Sequence, residues 1–313
     1  MLDATEVFFD RLAAVDMRPL AIAIACHLVK LMCTSRAWRN VIAAAYPQQR
    51  VRWRPIFGAY VSAVGVNAVL PARGGDVVKL YLAHRAVPGS TYTTLASTFV
   101  VMAIVDSTLS LTVFGYALTL GVLPSLDVLP NLPSFDFAWF FRHSAASLAF
   151  LGALVVGGFV AFFWARGRVR ELRARVAQAF TVLRTPLRYL RTVVFWQVCD
   201  WSLRLTTIWF MLDAFDIEQS LRNVLLVQVT HSLSTLVPVS PGGIGTEQAF
   251  LVYVFRGEVA RTPLLAFSVG MKLTLTAVNA VVGFTAILLM LRTFRYRRAI
   301  EGKPDTPPTT ESA

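Results

Sequence analysis

The sequence has few charged residues and few cysteines, and each shortage excludes a class of protein. Only 15% of its 313 residues are charged, whereas a soluble domain carries about 25%. The three cysteines, Cys26, Cys33 and Cys199, lie in apolar segments and show neither a metal-binding spacing nor a disulfide framework. No nucleophile and base can be paired, and no phosphate-binding or dinucleotide-binding glycine loop follows a strand pattern. We therefore expect no catalytic residues, no metal and no cofactor, and we predict that the chain is not an enzyme.

The sequence is rich in long apolar segments. Hydrophobic residues make up 56% of the chain and the mean hydropathy is +0.58, and several apolar runs exceed the roughly 20 residues that cross a bilayer. The net charge of +12 is concentrated in short loops between these runs, as the positive-inside rule predicts for a membrane protein. The pattern predicts an all-α, polytopic integral membrane protein of a bacterial or archaeal cell membrane, with no nucleic-acid partner.

The loop charges predict the topology. An interfacial helix is expected at 1–18, and the C-terminus is placed in the cytoplasm because the tail at 292–313 begins with arginines. Full spans are predicted near 19–40, 91–120, 144–165, 192–212 and 263–291. Two further apolar pieces, 56–70 and 222–237, are too short to cross a hydrocarbon core of about 30 Å. We interpret them as the first arms of two re-entrant helical hairpins, 56–86 and 222–256.

The order of span, hairpin and span occurs twice, at 19–120 and at 192–291. The first copy starts outside and the second starts inside, which is the plan of an inverted repeat. Residues 121–191 join the copies through an outer loop, a connecting span and a basic cytoplasmic helix. The predicted architecture is therefore about five full spans and two re-entrant hairpins.

Each predicted hairpin contains an elbow of proline and glycine. Pro71, Pro238 and Pro241 cannot continue a helix, and glycine permits tight turns and close backbone approach. The elbow glycines are Gly74, Gly75, Gly242, Gly243 and Gly245. Irregular backbone at membrane depth survives only inside protein or around a wet cavity, so the elbows predict a site for an ion or a lipid headgroup.

Eight ionisable side chains fall at predicted membrane depth, where each is costly and needs a partner. They are Lys30, Arg73, Arg204, Lys272, Asp76, Asp106, Asp200 and Glu247. Asp200 and Arg204 are four residues apart on one helix, and we interpret them as a structural ion pair. Arg73, Asp76 and Glu247 lie on the broken elements and are the favoured binding residues. The alternative is that these three only tie the two hairpins together.

The motifs LPARGGD and PGGIGTE, and the distance between them, resemble the lysylphosphatidylglycerol synthase transmembrane family, also called flippase-like, over about 36–291. The resemblance implies a membrane domain that binds or moves lipid headgroups, without a fused synthase domain here. Two departures stand out: Met102-Ala103 replaces a common Glu-Arg pair, and Lys272 replaces a usual arginine. The positions matched to the family are Asn67, Leu70, Pro71, Ala72, Arg73, Gly75, Asp76, Asp106, Pro241, Gly242, Gly243, Gly245 and Gly283.

The leading hypothesis is a lipid transporter, or flippase, for an anionic phospholipid or a polyprenyl-phosphate-linked lipid. Arg73 and Lys272, with the elbow amides, would hold the phosphate, while Asp76, Glu247 and Asp106 would position these bases. The alternative is a non-transporting membrane partner that presents a lipid to a separate glycosyltransferase or lipid-modifying enzyme. The expected partners are membrane lipids and, under the alternative, such an enzyme. The substrate-binding residues expected are Arg73, Asp76, Glu247, Lys272, Asp106, Asn67, Gly74, Gly75, Gly242, Gly243 and Gly245.

Overall fold

The computed structural model describes residues 15–70, 74–119, 169–236, 248, 251, 255 and 261–301. Every regular element within these residues is helical, which confirms the all-α prediction for this part of the chain. The helices are α1 (Met17–Ala45), α2 (Trp53–Val69), α3 (Gly74–Ala86), α4 (Tyr92–Thr119), α5 (Val169–Ala179), α6 (Pro186–Tyr189), α7 (Phe195–Ala214), α8 (Leu221–Leu236) and α9 (Arg261–Glu301). A 3₁₀ segment (Phe180–Arg184) precedes α6, and a π-helical segment (Leu190–Val194) leads from α6 into α7.

Three of the described helices are long and apolar enough to cross a membrane: Met17–Ala45, Tyr92–Ala117 and Pro263–Arg292. They correspond to the predicted spans near 19–40, 91–120 and 263–291, but α1 and α9 extend beyond the predicted ends. The predicted connecting span and the second elbow lie outside the described residues. The number of spans and the inverted repeat therefore stay predictions.

Helix α1 packs antiparallel against α7 and against the π-helical segment that leads into it. At one end the Asp16 N–H donates to the Ala214 carbonyl (3.0 Å). At the other end the Asn40 side-chain amide donates to the Thr192 carbonyl (2.6 Å). Between these ends the Thr34 hydroxyl donates to the Asp200 carboxylate. The C-terminal part of α1 therefore lies beside the N-terminal part of α7.

Helices α2 and α3 form a tight hairpin. The Asn67 side-chain oxygen accepts the Gly75 N–H (2.8 Å) and so satisfies one of the free donors in the first turn of α3. A Cβ on Gly75 would collide with the Ala63 carbonyl, and the close approach of the two arms therefore requires glycine there.

The hairpin begins and ends at the same end of the helix bundle. Helix α2 starts shortly after the end of α1, and the Thr91 N–H, which follows α3, donates to the Tyr46 hydroxyl just past α1 (3.0 Å). This is the geometry that a re-entrant hairpin over 56–86 requires. Its position relative to the membrane stays a prediction.

Helix α9 packs closely on α2. A Cβ on Gly65 would lie only 2.6 Å from the Gly283 Cα, so the two backbones meet through a pair of small residues, as is common between helices in membranes. Other positions of α9 carry exposed apolar side chains, including Leu273 (57%), Val281 (67%) and Leu288 (63%). Such a surface suits contact with lipid.

Candidate functional site

A cavity of about 410 Å³, here called the central cavity, lies between α1, α2, α3, α4 and α7. Six charged side chains line it, three basic and three acidic, so its formal charges balance. They are Lys30, Lys79, Arg204, Asp76, Asp106 and Asp200. Charged groups in an apolar environment are costly unless they are paired or solvated, and this concentration therefore marks the central cavity as the candidate site.

Lys79 points its ammonium into a cage of three aromatic rings. Its Nζ lies 4.1 Å from the centroid of Phe99, 4.5 Å from that of Trp38 and 5.1 Å from that of Tyr60. Within the described part of the chain it makes no hydrogen bond or ion pair, so the rings offset its charge through cation–π attraction. The N–H donors of this ammonium are therefore available to a ligand.

The aromatic cage is rigid on the side of Trp38. The Trp38 side chain is fully buried, its ring N–H donates to the Thr98 hydroxyl (2.8 Å), and its ring packs on Phe99 with centroids 5.6 Å apart. Because the rings come from α1, α2 and α4 while Lys79 comes from α3, packing of four helices fixes the position of this ammonium.

Arg204 joins two of the three carboxylates. One terminal nitrogen, Nη2, lies 3.1 Å from the carboxylate of Asp200 and 3.6 Å from that of Asp106. Asp200, at 2% exposure, also accepts from the Thr34 hydroxyl. Asp106, at 47% exposure, accepts the Trp201 ring N–H (2.9 Å). Asp200 is thus the firmly held partner of Arg204, and Asp106 is the more accessible one.

The Arg204 guanidinium retains one unused donor. Its Nε is buried and has no hydrogen-bond partner among the described residues. A buried donor left unsatisfied costs about 1–3 kcal/mol. A shift of the side chain that brought this N–H to an acceptor would recover that cost.

Lys30 is the third base of the central cavity and comes from α1. Its ammonium makes no hydrogen bond or ion pair with the residues that the structure describes. One turn earlier on the same helix, the His27 ring nitrogen Nε2 is hydrogen-bonded to the Asn279 side-chain oxygen (2.8 Å), which links α1 to α9. Lys30 was one of the ionisable residues expected at membrane depth, and the structure places it at the central cavity.

The structure brings some of the expected site residues together. Asp76, Asp106 and Asn67 all line the central cavity, although Asn67 also holds the first turn of α3. Gly75 is packed within the hairpin, and Gly74 has open space around it. Lys272 lies on α9 and is not among the residues that line this cavity. The expected residues that lie outside the described part of the chain are Arg73, Glu247, Gly242, Gly243, Gly245, Pro71, Pro238 and Pro241.

Sequence reasoning missed Lys79 and the aromatic cage. Lys79 was not among the ionisable residues expected at membrane depth, whereas the structure places it in the central cavity. One signal was available: Lys79 follows Asp76 by three residues, and positions three apart share one face of a helix. The three rings carried no such local signal, because they come from three other helices.

The arrangement suits an oxyanion. Three bases from three helices offer unused N–H donors, and charge-assisted hydrogen bonds from lysine and arginine are strong ligands for phosphate. The residues that the structure describes contain no cluster of His, Cys, Asp and Glu fit to hold a metal ion. The N–H donors of the three bases are suited to an oxyanion, and the three carboxylates of the cavity balance their charge.

The family model described as "Lysylphosphatidylglycerol synthase TM region" matches residues 4–300, which is nearly the whole chain. The comparisons with curated proteins and with solved structures each return no match. The family match agrees with the three apolar helices that are long enough to cross a membrane. The chain belongs to the lysylphosphatidylglycerol synthase transmembrane family and is a lipid-related membrane protein.

Proposed function

We propose that the protein binds the phosphate of a lipid headgroup in the central cavity and moves that lipid across the membrane. One observation carries this proposal: Lys30, Lys79 and Arg204, from three different helices, converge on one cavity with donors that no described residue uses. Each of these bases is costly at membrane depth. A phosphate that accepts from them offsets that cost.

The three carboxylates have a role in the empty state. Asp76, Asp106 and Asp200 balance the charge of the three bases when no lipid is bound, which lowers the cost of burying them. A phosphate would then compete with Asp106 for Arg204, because that contact is the longer one (3.6 Å) and Asp106 is half exposed. Asp200 stays paired and keeps the guanidinium in place.

The proposed cargo is an anionic phospholipid or a polyprenyl-phosphate-linked lipid, both of which present a phosphate. Arg73, Glu247 and the elbow glycines would complete the site from the two hairpins, with Arg73 adding a further phosphate ligand. The proposal assigns no catalytic step to these residues, and its setting is a cell membrane with the C-terminus in the cytoplasm.

Leaflet exchange in proteoliposomes tests the proposal. Purified protein is reconstituted into phosphatidylcholine vesicles with a trace of fluorescent phosphatidylglycerol, or of a fluorescent polyprenyl phosphate, and dithionite bleaches the outer leaflet. We expect the wild-type protein to expose the inner-leaflet probe faster than protein-free vesicles do. Absence of exchange for both probes would contradict transport. Loss of a specific glycolipid from cells that lack the protein would then favour the presenting partner.

Arg204→Lys connects exchange to the site. Lysine keeps a positive charge beside Asp200 but lacks the Nε–H and the planar fork. We expect exchange to fall about tenfold, as loss of one charge-assisted hydrogen bond predicts. Arg188→Lys, at an exposed position in α6, is the matched control and should exchange lipid at the wild-type rate. Equal rates for the two variants would argue against a role for the Arg204 fork.

A further inference from the structure

The charges that line the central cavity add to zero before a lipid enters. Three bases and three carboxylates line it among the described residues, and Arg73 and Glu247, which the proposed function adds to the site, carry opposite charges. A lipid phosphate brings one further negative charge to membrane depth. An uncompensated charge there is costly, so a positive charge that enters together with the lipid would stabilise the loaded cavity.

Asp106 is the carboxylate that the phosphate separates from its base. Its Oδ1 lies 3.6 Å from Arg204 Nη2 and accepts the Trp201 ring N–H (2.9 Å). Its Oδ2 accepts no hydrogen bond within the described part of the chain, and the side chain is half exposed. A proton can therefore reach Oδ2, while Oδ1 keeps the Trp201 hydrogen bond in the neutral acid as in the carboxylate.

The other two carboxylates of the cavity keep their positive partners when a phosphate binds. Asp200 is buried, lies 3.1 Å from Arg204 and accepts from the Thr34 hydroxyl. Asp76 lies in the first turn of α3, where the positive end of the helix dipole stabilises a negative charge. Asp106 has neither arrangement, and it is therefore the residue at which a proton can balance the phosphate.

Charged and titratable groups face Asp106 from the helices around it. Those that line the same cavity are Lys30 of α1, Tyr60 of α2, Asp76 and Lys79 of α3, and Asp200 and Arg204 of α7. On α8, which also packs on α4, His231 shares a smaller cavity with Lys30 and Arg204. Helix α5, which carries Arg175, packs near the start of α4, where the Thr94 hydroxyl donates to Gln178 (3.4 Å). All these groups are present before a lipid enters, so the phosphate is the charge that changes around Asp106.

We propose that the protein moves one proton together with each lipid anion, and that Asp106 carries this proton. This inference rests on the proposed function. As the phosphate takes Arg204 from Asp106, the carboxylate accepts a proton from water and becomes the neutral acid, so the loaded cavity stays uncharged. When the lipid leaves on the other side, Asp106 returns the proton to water and contacts Arg204 again. One proton and one lipid anion thus cross in the same direction and move no net charge.

The leaflet distribution of a lipid under imposed gradients tests this coupling. Phosphatidylcholine vesicles with and without the protein carry a trace of fluorescent phosphatidylglycerol, and dithionite reports the inner-leaflet fraction once that fraction is constant. In one arm, valinomycin and a potassium gradient set the membrane potential at equal pH. In the other arm, valinomycin with equal potassium holds the potential at zero while the pH differs by about one unit across the membrane.

For the wild-type protein we expect the probe to become about tenfold enriched in the leaflet that faces the alkaline side, because one proton accompanies each lipid. The membrane potential should leave its distribution unchanged. A lipid anion that crosses alone would ignore the pH difference and become about 50-fold enriched on the positive side at ~100 mV. That outcome would overturn the coupling and leave the proposed function intact. A protein that moves neither this probe nor the fluorescent polyprenyl phosphate would overturn both.

Asp106→Asn assigns the proton to its residue. The amide has nearly the same shape and can accept from Trp201, but it cannot take up the proton. We expect this variant to lose the pH response and to follow the membrane potential, whereas Asp106→Glu should keep the pH response. Glu218→Gln, at an exposed position between α7 and α8, is the matched control and should behave as the wild-type protein does.

A full pH response in Asp106→Asn would overturn Asp106 as the carrier of the proton. The comparison of the two gradients on the wild-type protein needs no variant, so it decides the coupling even where Asp106→Asn does not fold.

Discussion

Replacing Lys79 by methionine removes one positive charge from the central cavity and preserves most of the local packing. Methionine is unbranched and adapts to irregular apolar space, so it can fill the cage that now holds the ammonium 4.1–5.1 Å from three ring centroids. The variant therefore tests the charge of Lys79 separately from its volume.

The structure sets the expected magnitudes. A charge-assisted hydrogen bond to a phosphate contributes about 1.5–3 kcal/mol, so its loss should weaken binding of a phosphate headgroup about 10- to 150-fold. The folded protein loses cation–π contacts worth about 0.5–2 kcal/mol, but it no longer has to bury an ammonium. These effects oppose each other, and we expect the free energy of unfolding to change by at most about 1 kcal/mol.

The assay is binding of dihexanoyl-phosphatidylglycerol to the detergent-solubilised protein, with thermal unfolding measured on the same samples. Arg85→Met is the matched control: Arg85 lies on the same helix, donates to the exposed Tyr81 hydroxyl (3.2 Å) and contacts that ring at 5.5 Å. We expect the control to bind as the wild-type protein does, and Lys79→Arg to retain part of the affinity. A well-folded Lys79→Met protein with wild-type affinity would refute the role of Lys79 in headgroup binding.

Three further predictions follow from particular contacts and positions. Gly283→Ala should lower the free energy of unfolding by about 1–3 kcal/mol through overpacking, because its Cβ would lie 2.7 Å from a backbone nitrogen of α2. Gly115→Ala is the control, since a Cβ there meets open space, and it should be neutral or slightly stabilising. Equal melting temperatures for the two variants would contradict this reasoning. Asp200 is 2% exposed, so Asp200→Ala breaks a buried ion pair and should destabilise the protein by about 3–5 kcal/mol. Asp106 is 47% exposed, so Asp106→Ala should cost no more than about 1 kcal/mol. Chemical unfolding compares the two variants, and the reverse order would count against the ion-pair network. Arg73→Ala should abolish lipid exchange and Arg73→Lys should fold but exchange poorly, since lysine lacks the bidentate fork; a folded alanine variant with normal exchange would exclude Arg73 as a phosphate ligand.

Much of the fold follows from local sequence. Long apolar segments predict the ends of α1, α4 and α9 within a few residues, except that α1 continues to Ala45 and α9 to Glu301. Basic residues marked these regions as loops, but arginine has high helix propensity and is compatible with a helix that leaves the membrane. The hairpin was predictable because Pro71 and the following glycines interrupt a segment that is too short to span.

The site was less predictable than the fold, for a physical reason. Asp76 and Asp106 stood out as isolated charges in apolar sequence, and the structure brings both to one cavity. Sequence treated Arg204 only as the partner of Asp200. Whether its Nε–H finds a hydrogen-bond partner depends on how α1, α4 and α7 pack around it. The aromatic cage around Lys79 forms only when α3 packs against three other helices. Such long-range contacts cannot be read from the sequence of a single helix.

The most direct test of the central claim is an experimental map of the protein in lipid nanodiscs that contain phosphatidylglycerol. We predict density for a headgroup phosphate in the central cavity, within hydrogen-bond distance of Lys79 Nζ and of the Arg204 guanidinium. Headgroup density found only outside the central cavity, with water alone inside it, would contradict this prediction.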